Sequence, residues 1–133
     1  MADITVVIPV GPEARHKEHL AQAIASVNGQ RAVIVNDMAG ATLLPSICRV
    51  VTNHWRLGVG ASFNIGIAAA NTPNVLMLGA DDYLSPDCIE VASKEIDRIG
   101  DPLGYYYLPI EYVGDWETQT NEKRAHVPNN CAI

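Results

Sequence analysis

Ile4-Thr5-Val6-Val7-Ile8, followed by Pro9-Val10-Gly11, is the stretch on which the fold turns. β-Branched side chains are stiff at χ1 and pack well on a pleated surface. An apolar run without alternation is what a strand buried on both faces requires. It reads as a central strand over 4–8, closed by Pro9. Downstream, Glu13 to Asn28 sets Leu20, Ala23, Ile24 and Val27 on one helical face, with Gly29 at the C-terminal cap. Ala32-Val33-Ile34-Val35 is a second apolar strand ending at Asn36-Asp37. Strand, helix and strand at this spacing make a parallel unit with a right-handed crossover.

The pattern continues along the chain. A loop containing Gly40 and Pro45 leads to a third strand, Arg49-Val50-Val51-Thr52. Gly58 to Asn71 reads as helix, with Ala61, Ile65, Ala68 and Ala69 on a shared face. Asn74 to Leu78 is a fourth strand, running into Gly79-Ala80-Asp81-Asp82. Ser85-Pro86-Asp87 then opens a helix, with Ser85 as N-cap, Pro86 in the first turn and Asp87 at the positive dipole end; Gly100 closes it. Tyr105 to Val113 reads as an edge or bulged strand around Pro109, Gly114 to Asn130 as loop, and Asn130 to Ile133 as the start of another strand. The fold class is therefore α/β: a three-layer α/β/α sandwich on a mostly parallel sheet, with residues 1–133 as a single domain.

Composition bounds the function. With 133 residues there is room for one core, and 48% apolar against 18% charged residues excludes extensive disorder. Nine basic against 15 acidic residues, a net charge of −6, excludes a broad basic footprint for duplex nucleic acid. No apolar run approaches the roughly 20 residues that span a bilayer. Met1-Ala2-Asp3 lacks the basic start of a secretory signal. Cys48, Cys88 and Cys131 form no CxxC pair and read as small buried hydrophobes in a reducing cytoplasm.

In an open parallel sheet, ligands bind outside the carboxyl ends of the strands. That rim gathers Pro9-Val10-Gly11, Asn36-Asp37, Asn53-His54 and Gly79 to Asp82. Adjacent carboxylates at a strand end suit a hard divalent cation that also touches substrate phosphates; Asp81 and Asp82 equally read as turn and capping residues. Asp37 either accepts hydrogen bonds from a base or ribose or caps the loop at Met38-Ala39-Gly40.

Taken in order, the blocks resemble a family 2 glycosyltransferase of the GT-A fold. Residues 4–10, the helix end Ala25-Ser26-Val27-Asn28-Gly29-Gln30 and Val33-Ile34-Val35-Asn36-Asp37 look like its start. Arg56-Leu57-Gly58-Val59-Gly60-Ala61-Ser62-Phe63-Asn64-Ile65-Gly66-Ile67-Ala68 is similar to the family's N-x-G-x-x-x-A-R-N-x-G-I stretch. Leu76 to Asp87 resembles its hydrophobic strand, D-A-D-D and x-x-x-P segment. The likeness covers nearly all of residues 4 to 99. It implies a nucleotide-sugar-binding domain in which Pro9, Val10, Gly11 and Asp37 hold the base. Arg56, Gly58, Asn64 and Asp81 complete the donor site, and Asp81 with Asp82 holds Mn²⁺ or Mg²⁺ on the diphosphate of a UDP-sugar. It further implies direct, inverting transfer of a hexosyl-type group, with a carboxylate base on an acceptor hydroxyl.

The sequence departs from the pattern at named positions. Gly79 stands where the first Asp of D-x-D is expected, Asn36 replaces the first Asp of the usual pair, Arg56 takes the place of the N-x-G Asn, and Phe63 that of the Arg in A-R-N. The family's acceptor segment and catalytic carboxylate follow the strand that Asn130 to Ile133 begins. Glu111, Asp115 and Glu117 read as solvated charges, so no catalytic base is assigned. Two other readings stand beside the transferase: a non-catalytic nucleotide-binding or protein-interaction module, and a site completed by a partner chain, a homo-oligomer included.

Other motifs carry less. Gly58-Val59-Gly60 imitates a dinucleotide loop, but Phe63 occupies its third glycine position. His16 and His19 make no complete metal site and read as a solvated helix face; His54 reads as a packed loop residue. Ser46 and Cys48 lack a triad pattern, and Tyr105-Tyr106-Tyr107 reads as strand alternation.

Overall fold

The computed structural model describes residues 1–27, 31–40, 48–101 and 104. Its elements run β1 (Ile4–Val10), α1 (Ala14–Ser26), β2 (Arg31–Asn36), β3 (Arg49–Thr52), α2 (Val59–Ala69), β4 (Asn74–Met77) and α3 (Cys88–Ile99). The four strands form one sheet in the order β3-β2-β1-β4, and each neighbouring pair is parallel. All carboxyl ends therefore lie on one edge, as the sequence pattern requires. The expected Gly29 cap and everything expected from Tyr105 onward fall outside the described residues.

Every residue of β1 is buried, which follows from its place between two strands and between two helical layers. Alternation sorts its side chains. Val6, Ile8 and Val10 meet Ile34, Leu76, and Leu20, Ala23 and Val27 at the α1 side, together with Ala92 of α3. Val7 points the other way, joining Val33 and Val35 under Phe63, Ile65 and Ala69 of α2. Burying one such aliphatic side chain is worth about 1.5–3 kcal/mol, so these two sets are the main source of stability.

β1 runs to Val10, two residues beyond the expected end at Ile8 and through the Pro9 stop. Val7 is its last residue paired with β4, and the Val7 carbonyl accepts from Leu78 N at 3.0 Å. Pro9, two residues on and facing the same side, needs no N–H there because the β4 ladder has ended. On the β2 side the ladder continues to Val10, opposite Asn36.

α2 corrects half of the expected helical face: Ile65 and Ala69 pack on the sheet as expected, but Ser62 and Gly66 are its buried residues, while Ala61 and Ala68 are exposed. The helix settles so closely on the sheet that a side chain at Gly66 would overlap Val7 Cγ1 and meet Val35 Cγ2 at 3.1 Å. Counting only apolar residues misses a face whose closest approach is made by a serine and a glycine.

α3 also begins later than expected, at Cys88 rather than after Ser85. Ser85 Oγ donates to the Asp87 carboxylate at 3.0 Å instead of capping, and Cys88 N closes a turn onto Ser85 O at 3.1 Å. Gly100 ends the helix in the left-handed conformation (φ 67°), its N–H bonded to Ile96 O. Cys48 and Cys88 form no disulfide and are half-buried rather than fully enclosed, and burial pushes the Cys48 thiol up.

Candidate functional site

The turn after β2 is built by its own polar side chains. Asp37 N donates to Val10 O at 2.8 Å, and Asn36 Oδ1 accepts from Ala39 N at 2.8 Å, which lets Met38 take a positive φ of 68°. Asp37 itself is only 3% exposed. Its Oδ1 accepts from Asn53 Nδ2 at 2.9 Å and from Leu57 N at 2.8 Å; its Oδ2 accepts from Gly58 N at 2.9 Å. Burial pushes this carboxyl up, but the Asn53, Leu57 and Gly58 hydrogen bonds and the nearby Arg56 outweigh it. Its pKa lies below the usual carboxylate range.

One buried charge thus ties together the ends of β2 and β3 and the start of α2. Gly58, with φ 88°, is the N-cap of α2 and adopts a backbone that an L side chain resists. Asn53 Nδ2 also reaches Ser62 Oγ at 3.3 Å, linking the strand end to the buried face of the helix.

Above this clamp lies a cleft of about 330 Å³ lined by Pro9, Gly11, Glu13, His16, Asp37, Arg56, Val59 and Ser62. Arg56 crosses it, its Nη2 paired with Glu13 Oε1 and its Nε 3.8 Å from Asp37 Oδ2. The Arg56 hydrogen bond holds the Glu13 carboxyl below its ordinary value, and the same contact raises Arg56. Gly11 N donates to His16 Nδ1 at 3.0 Å, and the same nitrogen lies 3.4 Å from Glu13 Oε2. The Glu13 carboxylate lies over Gly11, filling space that any side chain at Gly11 would take.

The other end of the rim follows β4. Leu78 and Ala80 are buried and anchor the segment, and Asp82 N closes a tight turn onto Gly79 O at 3.1 Å. Asp81 Oδ2 pairs with Arg15 Nη2 of α1 at 2.8 Å. The oxygens Asp81 Oδ1 and Asp82 Oδ2 converge over Gly79, lying 3.3 and 2.5 Å from where a Cβ would stand. Burial of its carboxyl against this turn, together with the neighbouring Asp81 charge, raises the Asp82 pKa, partly countered by Arg15. Among the described residues no group of three His, Cys, Asp or Glu side chains could hold a metal ion unaided. A divalent cation of the Mg²⁺ type takes one or two carboxylates and completes its shell with water and substrate phosphates. The cradle left by Gly79 fits that smaller donor set.

The positions singled out in the sequence divide as follows. Pro9, Gly11, Asp37 and Arg56 line the cleft. Val10 is fully buried in the core, Gly58 serves the cleft through its N–H to Asp37, and Asn64 is exposed on α2 outside the cleft lining. Asp81 and Asp82 sit together at the β4 end. Glu13 and His16 are additions: His16 was expected on a solvated helix face. Their signal was their place directly after Gly11, three residues apart on the first turn of α1. His54 is exposed rather than packed, its ring tilted 40° to exposed Trp55 with centroids 6.4 Å apart. Glu111, Asp115, Glu117 and Tyr105 to Tyr107 lie outside the described residues. No helix among the described residues is long and apolar enough to cross a membrane.

Comparison with known proteins agrees with this architecture. No curated protein matches the chain. Among solved structures, it resembles S. aureus TarS 1-349 in complex with UDP-GlcNAc at 18% identity and a TM-score of 0.61, over 72% of this chain and 31% of that one. The same protein in complex with UDP matches at 18% identity with a TM-score of 0.63, over 72% and 32%. The mannosyltransferase PcManGT from Pyrobaculum calidifontis, in complex with GDP-Man and Mn²⁺, matches at 19% identity with a TM-score of 0.55, over 72% and 34%. The chain thus spans about a third of the length of these structures, and at such identities the likeness speaks for the fold. The family pattern of the glycosyl transferases of family 2 extends over residues 5–129, nearly the whole chain. With its parallel sheet, its cleft at the carboxyl ends and its paired carboxylates after β4, the chain belongs to glycosyl transferase family 2.

Proposed function

We propose that residues 1–133 form the donor-binding domain of an inverting, metal-assisted glycosyltransferase that uses a UDP-sugar, acting in the cytoplasm. The observation that carries this reading is the division of the rim. A cleft bounded by the loops after β1, β2 and β3 has room for a nucleoside, and two convergent carboxylates stand after β4. A diphosphate lying between them would meet Arg56 on one side and a cation on Asp81 and Asp82 on the other. The cation would neutralise charge on the departing nucleoside diphosphate. The chain's own part is to hold the donor: Asp37 fixes the cleft wall, Arg56 supplies a guanidinium at the phosphate side, and the carboxylates bring the metal to the diphosphate. UDP and UDP-GlcNAc in the TarS complexes, and GDP-Man with Mn²⁺ in PcManGT, support a nucleotide and a divalent ion in this fold.

Calorimetry with UDP, with and without Mn²⁺, tests the reading. Binding that strengthens at least tenfold with Mn²⁺, and loses that gain in Asp81→Ala, is the expected result. Absence of binding under both conditions would overturn it.

A further inference from the structure

The turn after β4 is anchored by contacts that do not involve its carboxylates. Ala80 and Leu84 are buried, Asp82 N donates to Gly79 O at 3.1 Å, and Leu84 N donates to Ser26 Oγ of α1 at 3.0 Å. Arg15, from the first turn of α1, adds an ion pair to Asp81 Oδ2 at 2.8 Å, with its own side chain 59% exposed. A pair so exposed adds little to stability. What it changes is charge. Asp81 Oδ1 and Asp82 Oδ2 converge over Gly79, and the Arg15 guanidinium acts on both carboxylates.

We propose that Arg15 is a counter-ion gate on this carboxylate pair: it holds Asp81 against a divalent cation that arrives alone, and yields it when cation and diphosphate arrive together. With Arg15 in place Asp81 is already neutralised, so a free cation meets like charge and gains only part of the attraction of the two carboxylates. A diphosphate offers the guanidinium charged oxygen acceptors in exchange, and Arg15 leaves Asp81 without losing a partner. At about 6 Å in water-like surroundings, one positive charge opposes a divalent ion by roughly tenfold in affinity. The consequence is coupling: cation and nucleotide strengthen each other's binding by the same factor. This inference rests on the proposed function, in which the diphosphate lies beside Asp81 and Asp82.

The test titrates Mn²⁺ alone, read by the paramagnetic resonance signal of the free ion, and UDP by calorimetry with and without Mn²⁺. It compares the unaltered chain with Arg15→Gln, Arg15→Lys and Lys17→Gln, the last removing an exposed charge two residues away on α1. Arg15→Gln is expected to bind Mn²⁺ alone about fivefold more tightly or better, and the factor by which Mn²⁺ strengthens UDP binding falls by at least as much. Arg15→Lys, which keeps the charge, restores both values, and Lys17→Gln changes neither by more than about twofold. If Arg15 only steadied Asp81, Arg15→Gln would bind Mn²⁺ alone equally or more weakly; that outcome overturns the inference. An equal gain in Lys17→Gln also overturns it, since the effect would then be the diffuse field of the chain. In both cases Mn²⁺-dependent binding of UDP to the unaltered chain leaves the proposed function standing. Binding of UDP to none of the four chains, with or without Mn²⁺, removes the proposed function itself, and the inference with it.

Discussion

Two aspartate sites on one rim behave in opposite ways. Asp37, after β2, is enclosed by an amide and two backbone N–H groups and has its pKa lowered. Asp82, after β4, has its carboxyl partly buried against its own turn beside Asp81, and its pKa is raised. Both follow an apolar parallel strand, so strand-end position alone assigns neither role. The number of donors that the surrounding loops supply decides. Where the chain spends three donors on one carboxylate, that carboxylate stabilises the fold. Where two carboxylates share one arginine, negative charge is left over, and the proposed function gives it to a cation.

The sharpest way to break this contrast is Asp37→Ala. It orphans the Asn53 amide and the Leu57 and Gly58 N–H groups, and should cost about 3 kcal/mol, roughly 10 °C in melting temperature for a domain of this size. Asp81→Ala removes a partly exposed pair and should shift thermal melting by less than about 1 kcal/mol. Equal losses in the two variants would erase the distinction. Gly58→Ala comes next. A side chain at φ 88° strains the backbone by about 1–3 kcal/mol, and the N–H to Asp37 is pulled out of line, measurable by urea denaturation.

Gly79→Ala probes the other site. Its Cβ would press on Asp82 Oδ2, the mobile end of a side chain, so stability should change by under about 1 kcal/mol while Mn²⁺-dependent UDP binding weakens. A titration calorimetry trace with unchanged metal dependence would refute that role for the cradle.

The smallest effects are in pH. Asp37 has a depressed pKa, so its contribution is present above the unfolded value near pH 4 and is lost as pH falls through its folded value. The stability gap between the unaltered chain and Asp37→Asn should therefore narrow on acidification. Asp82 has a raised pKa, so its ionised form opposes folding slightly above that range. Asp82→Asn should melt a little higher than the unaltered chain at pH 7, a difference that vanishes below about pH 4.

Much of the fold was legible because its signals are local. β3 falls on Arg49–Thr52 as read from the sequence, and Gly100 ends α3 where its conformational freedom is needed. The errors share a cause. Pro9 continues β1 because the neighbouring ladder has already stopped, and Ser62 with Gly66 makes the buried face of α2 because the helix must approach Val7 and Val35 closely. Each depends on a neighbour distant in sequence. The site shows the same division. Asp37, Asp81 and Asp82 are candidates that strand ends alone mark, whereas Glu13 and His16 join the cleft lining only once Gly11, Arg56 and the α1 turn are brought together.

By itself, then, the sequence determined the alternation of strands and helices, the parallel sheet and the line of polar residues along its carboxyl edge. Periodicity, β-branching and turn residues act over a few neighbours and leave their mark in order along the chain. Which carboxylate is consumed by the fold and which stays open to a ligand was decided by tertiary structure alone. That outcome depends on backbone N–H groups at Leu57 and Gly58, on the Asn53 amide and on an arginine from another loop, and no spacing in the chain encodes their convergence.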